Sequence, residues 1–312
     1  MAKKIIFIHG RSIKPLESDL QELWYAAVRH GLQRDFGVAG VAKFESIKKE
    51  FVYYGKLSND FLHEKTGVEI PDDIESRQEA FETLKRYRRS DFNKTTYKKL
   101  AKNSFLKEAL ADTFSGALSL VRAGTPLISV VAPDMAHYWN QETYFGSDVR
   151  LKLTDVLKDT FDNYDEIMLV SHSLGTIVSY DNLWKFSHYG EYRRDYGADK
   201  KIDLFVTMGS PLGDENAKQH LKGKESTGRL KYPHNIRRWV NIAAEDDYVS
   251  HDSRLKNDFR EMYNLGLLDE PIKDIYPVYN LTVRNESPNP HSAIGYLVNP
   301  KFIDLLSEWM NG

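Results

Sequence analysis

The chain has 312 residues, enough for one large α/β domain carrying an insertion, and its 43 basic against 45 acidic side chains leave a formal net charge of -2. So near-neutral a chain gives no reason to expect a polyanion partner, and nucleic-acid binding is disfavoured. Without cysteine there are no disulfides, no thiolate catalysis and no cysteine metal sites; the apolar run Ile5 to Ile8 is too short for an export signal, no stretch has the length of a membrane span, and the expected location is cytoplasmic.

Lys3 to Ile8 is a short apolar run closed by His9-Gly10, which reads as a buried parallel strand. Leu16, Leu20, Leu23, Trp24, Ala27, Val28 and Leu32 fall at helical spacing and predict a helix from Leu16 to Phe36, ending near Gly37. Phe51 to Tyr54, followed by Gly55, predicts a second strand. Residues 56–126 interrupt the alternation with a charged stretch in which Leu100, Leu106, Leu110, Ala117 and Val121 keep roughly helical spacing; they are expected to form a helical cap inserted into a core of residues 1–55 and 127–312.

The alternation then resumes with a strand Leu127 to Val131, a helix Ser147 to Phe161, a strand Glu166 to Val170 and a helix through about Phe186. Strands Ile202 to Met208, Ile236 to Ala243 and Ile275 to Val283 follow, with a closing helix that carries Leu305, Leu306 and Trp309. Strands alternating with helices predict an α/β fold with a mostly parallel sheet covered on both faces.

The run Ile167 to Thr176 takes an apolar strand straight into Ser171-His172-Ser173-Leu174-Gly175 and then into a helix, the layout of a nucleophile elbow. A serine hydroxyl is a poor nucleophile, so it must be exposed on a sharp turn beside a base. Ser173 is the candidate nucleophile. Gly175 lets the turn close, and Ser171, where such elbows usually carry glycine, is small.

In elbows of this kind the acid and then the base follow the serine in the chain. Only His251 and His291 follow a plausible acid, and His251 lies before the last strand, which selects His291 in Asn289-Pro290-His291. The acid belongs at the end of the preceding strand, where Glu245, Asp246 and Asp247 stand; Asp247 is favoured because Asp-x-Val returns an apolar residue to the core, with Asp246 as the alternative and Glu245 a solvated loop carboxylate. The oxyanion would be held by the backbone N–H of Leu174 and that of Arg11, with Ser12 as the alternative to Arg11. His9 and His172 read as structural or loop-orienting.

Phe7-Ile8-His9-Gly10, Val170 through Thr176, Gly209-Ser210-Pro211-Leu212-Gly213, Trp239-Val240-Asn241 through Asp247-Tyr248-Val249, and Pro290-His291-Ser292, in that order, resemble the α/β-hydrolase-fold serine esterases and lipases. The likeness covers the expected core and not the cap, and it departs at Ser171. It implies hydrolysis of carboxylic esters or related acyl compounds by Ser173, His291 and Asp247 through an acyl-enzyme, with no metal or organic cofactor. Thioesterases, amidases and acyltransferases use the same constellation, and a non-catalytic binding protein of this fold is the alternative from another class.

The run Lys85, Arg86, Arg88, Arg89, Lys94, Lys98, Lys99, Lys102 and Lys107 could meet an anionic head group, although a solvated helix face is the commoner meaning of such a run. The expected partner is a small-molecule or lipid acyl ester. Asp134-Met135-Ala136-His137 is spaced like a ligand pair, but Pro133 and Tyr138-Trp139 suggest a loop, and no metal is assigned. Tyr53, Tyr54, Tyr138, Trp139, Tyr144 and Phe145 are candidates for lining an acyl pocket or for core packing.

Overall fold

Apolar runs flanked by helical stretches have to bury both faces, and in the computed structural model they do so as one parallel sheet. The structure describes residues 2–11, 13–66, 74–100, 137–140, 142–197, 199–250 and 254–312. The strands β1 (Lys3–Ile8), β2 (Lys48–Val52), β3 (Glu166–His172), β4 (Ile202–Met208), β5 (Ile236–Ala244) and β6 (Lys273–Val278) stand in the order β2-β1-β3-β4-β5-β6, and every neighbouring pair is parallel.

Two helical layers cover it. Helices α1 (Glu17–Ser46) and α8 (Pro300–Asn311) share a core cluster with Ile5 and Phe7 of β1, whereas α5 (Phe145–Asn163) and α6 (Leu174–His188) pack on Ile6 and Ile8. Adjacent residues of β1 therefore feed opposite layers, as the period of two requires. The chain runs from β1 outward to β2 and returns across β1 to β3, so the strand order reverses between β1 and β3. In an open parallel sheet the crevice beyond the C-terminal ends of such strands is where ligands sit.

Several expected boundaries move. The backbone does leave helical geometry at Gly37 (φ 66°, ψ -162°), but a second helical stretch follows to Ser46 and buries Phe44. Strand β2 begins at Lys48 and stops at Val52, short of Tyr54. As the end strand of the sheet it tolerates Lys48, Lys49 and Glu50, which an apolar-run criterion passes over. The last strand ends at Val278; Val283–Arg284 (β7) and Ser287–Pro288 (β8) instead form a small antiparallel pair.

Within the expected cap lie α2 (Gly55–Thr66), α3 (Ile74–Leu84) and α4 (Lys94–Leu100). Helix α3 packs on α1, on β7 and on α7 (Ala293–Leu297). The apolar positions 106 to 121, the strand at 127–131 and the Asp134-Met135-Ala136 stretch fall outside the described residues.

Part of the basic run serves to hold elements together. Arg89 pairs with Asp304 of α8 at 2.7 Å and with Asp35 of α1 at 3.1 Å, and Lys85 pairs with Glu82 at 2.5 Å. Among the described residues no helix is long and apolar enough to cross a membrane.

Candidate active site

Strand β3 ends in a turn that puts Ser173 at φ 55°, ψ -129° as the N-cap of α6. Positive φ is unusual for a residue with a Cβ and marks a backbone that its surroundings hold in place. The Ser173 N–H donates to the Met208 carbonyl at 3.0 Å, tying the turn to the end of β4. A Cβ on Gly175 would stand 2.5 Å from the His9 carbonyl oxygen, and one on Gly10 would stand 2.5 Å from the Ser173 Cβ. These two glycines let the first loop, the elbow and α6 meet.

Ser171 is accommodated by a partner. Its Oγ lies 2.8 Å from the Ser179 Oγ, fully buried against α6, so the hydroxyl that replaces hydrogen at this position is hydrogen-bonded.

The structure brings Ser173, His291 and Asp247 together. Ser173 Oγ is 2.9 Å from His291 Nε2, and His291 Nδ1 is 3.0 Å from each carboxylate oxygen of Asp247. Burial opposes the charge on Asp247, yet the His291 charge outweighs it together with hydrogen bonds from His291, Tyr296 and the Val249 N–H, and the carboxyl is held below its ordinary range. An ionised Asp247 accepts from Nδ1–H, which leaves Nε2 as the lone-pair side facing the serine hydroxyl. Asp246, the alternative acid, is exposed at φ 61° and accepts from the Tyr97 hydroxyl at 3.3 Å, not from His291.

The imidazole is fixed through its own backbone. Asn280 Nδ2 donates to the Pro290 and Ser292 carbonyls, each at 2.9 Å, and His172 Nε2 donates to the His291 carbonyl at 2.8 Å. Three successive carbonyls are thus held by two buried side chains. Burial and then the neighbouring His291 push the His172 basicity well below the usual histidine range, so its ring is neutral.

The Tyr296 hydroxyl donates to Asp247 Oδ2 at 2.6 Å and accepts from the Ala244 N–H at 2.8 Å. Asn280 and Tyr296 have no local signal in the sequence. Gly209 (φ 55°) faces the same group, because a Cβ there would lie 2.8 Å from Asp247 Oδ2; the Gly209-Ser210-Pro211 motif was its only trace.

Around the first loop, His9 accepts the Tyr54 N–H at Nε2 (3.0 Å), so its proton is on Nδ1 and is donated to the Gly10 carbonyl at 2.6 Å. Buried and neutral, it shapes the turn that leads into Arg11. The Leu174 N–H opens α6, where first-turn amides have no intrahelical acceptor. Arg11 lines the cavity that reaches Ser173, and Ser12 lies outside the described residues.

That cavity, about 100 Å³, lies beyond the strand ends and is also bounded by Trp24, His172 and His291. None of the six aromatics expected for an acyl pocket is among the residues lining it. Tyr54, Tyr138 and Phe145 are in the core, Trp139 stacks on His220 at 4.5 Å, and Tyr144 is 84% exposed. His137 stacks on Phe61 at 3.7 Å, and among the described residues no group of three or more His, Asp or Glu is placed to hold a metal ion. His251 falls outside the described residues. No protein-family model matches the chain, and no curated protein matches it at a significant level.

Proposed function

We propose that the chain is a serine hydrolase of the α/β-hydrolase fold that cleaves carboxylic esters, with Ser173 as nucleophile, His291 as base and Asp247 as the orienting acid. The observation that carries the reading is the continuous hydrogen-bond chain from Ser173 Oγ to His291 (2.9 Å) and on to Asp247 (3.0 Å), starting from a serine held at positive φ. The reversal of strand order at β1 and β3 and the set of motifs around it support the fold assignment.

In this reading His291 Nε2 takes the Ser173 proton as Oγ attacks the acyl carbonyl, and the Leu174 and Arg11 amides hold the developing oxyanion. The proton passes to the leaving alcohol. His291 then draws a proton from water, whose oxygen attacks the acyl-enzyme and releases the acid.

Purified protein should hydrolyse p-nitrophenyl esters and be labelled by a fluorophosphonate, and Ser173→Ala should lose both. Labelling that persists in Ser173→Ala, or no reaction of the wild type with either reagent, would count against the proposal. A non-catalytic protein of this fold would give the second result.

A further inference from the structure

We infer that the ester taken at Ser173 is short and carries an anionic group, a carboxylate or a phosphate, gripped by Arg11, Lys14, Arg77 and Arg284; this rests on Ser173 being the nucleophile. The four cations come from three separate parts of the chain: the loop after β1, helix α3 and strand β7. All of them line the one cavity that reaches Ser173 and His291.

Two carboxylates share that lining, and they do not balance the four. Asp247 is committed to His291 and Tyr296, and Asp246 is exposed, where water screens its charge. The positive field reaches the elbow: after burial, the Lys14 charge and then Arg77 depress the basicity of His9, and Lys14 acts on His172 as well.

The cations are also held in place. Arg77 Nη2 donates to the Ile13 carbonyl at 3.3 Å and Arg284 Nε to Ser76 Oγ at 3.0 Å, while Lys14 Nζ donates to the Arg11 carbonyl. A guanidinium carries five N–H groups, so anchoring through one is compatible with a bidentate grip on an oxyanion. A cavity of about 100 Å³, a few times the ~30 Å³ that one water occupies in the liquid, suits a short acyl chain, with Trp24 and Ile294 as its apolar wall.

The test compares 4-methylumbelliferyl hexanoate with the hemiadipate, which ends in a carboxylate, and with the 6-phosphohexanoate. The wild type should favour one anionic ester over the neutral one at least tenfold in kcat/KM, chiefly through KM, and the preferred anion identifies the group read. Arg77→Gln and Arg284→Gln should each reduce that preference about tenfold, whereas Arg194→Gln, an exposed charge paired with Asp195, should leave it intact.

Ser173→Ala titrated calorimetrically with monomethyl adipate and with its neutral amide gives a readout free of turnover. Tighter binding of the acid supports the anion site even if no ester is hydrolysed, an outcome that would sink only the hydrolase reading. Hydrolysis of all three esters with no charge preference would overturn the anion site and leave the hydrolase reading standing. A fall in melting temperature of Arg77→Gln with the preference unchanged would likewise overturn it, assigning the cations to anchoring α3.

Discussion

Replacing Gly10 by alanine probes the closest approach in the site. The added Cβ would stand 2.5 Å from the Ser173 Cβ and 3.1 Å from both Ser173 Oγ and His172 Nδ1. Ordinary contacts begin near 3.4 Å, so the first loop and the elbow must separate by about 1 Å, and a misplacement of that size costs roughly 10²-fold in rate, or about 2.7 kcal/mol of barrier.

The Ser173–His291 hydrogen bond of 2.9 Å would lengthen, and the Arg11 amide would retreat from the oxyanion. The assay is kcat/KM on a short p-nitrophenyl ester together with the rate of fluorophosphonate labelling. Gly37→Ala is the control: it strains a positive φ (66°) with nothing within 4 Å, so it should cost about 1 kcal/mol of stability and no activity. Wild-type labelling and turnover in Gly10→Ala, with the fold intact by circular dichroism, would refute the reasoning.

Tyr296→Phe removes a donor to Asp247 and strands the buried Ala244 N–H, so it should lose about 1–3 kcal/mol of stability and roughly tenfold in kcat. A carboxyl whose folded pKa is depressed stabilises the fold above its unfolded pKa and loses that contribution as pH falls through the folded value. The gap between wild type and Tyr296→Phe in denaturant titrations should therefore be widest near neutrality and narrow as acid protonates Asp247; a gap constant with pH would contradict the link. Asn280→Ala should free the His291 loop, costing about 2 kcal/mol in thermal or urea unfolding and lowering kcat more than it raises KM. Ser171→Gly should lose only about 1 kcal/mol with the Ser179 hydrogen bond and keep turnover within about threefold, whereas Ser171→Leu has no space in the buried turn and should fail to accumulate as folded protein.

The six strands were legible because a parallel sheet covered on both faces needs uninterrupted apolar runs, and Lys3–Ile8 and Ile202–Met208 carry that signal from end to end. The polar end strand β2 did not, because exposure at an edge relaxes the requirement that makes buried strands readable. Ser173 was legible as the junction of a strand, small residues and a helix. His291 and Asp247 followed from chain order.

What the sequence determined by itself was the local chemistry: which residue types stand at strand ends, where glycine permits a turn, and which order of serine, acid and histidine the topology allows. Only the tertiary structure decided between Asp246 and Asp247, because adjacent residues on a turn point in different directions and just one carboxylate is buried toward His291. It alone joined Asn280, His172 and Tyr296 to the site, and placed Arg77 and Arg284 beside Arg11 and Lys14. Such contacts join residues far apart in the chain, and hydrogen bonds and charges between them leave no periodicity in the sequence.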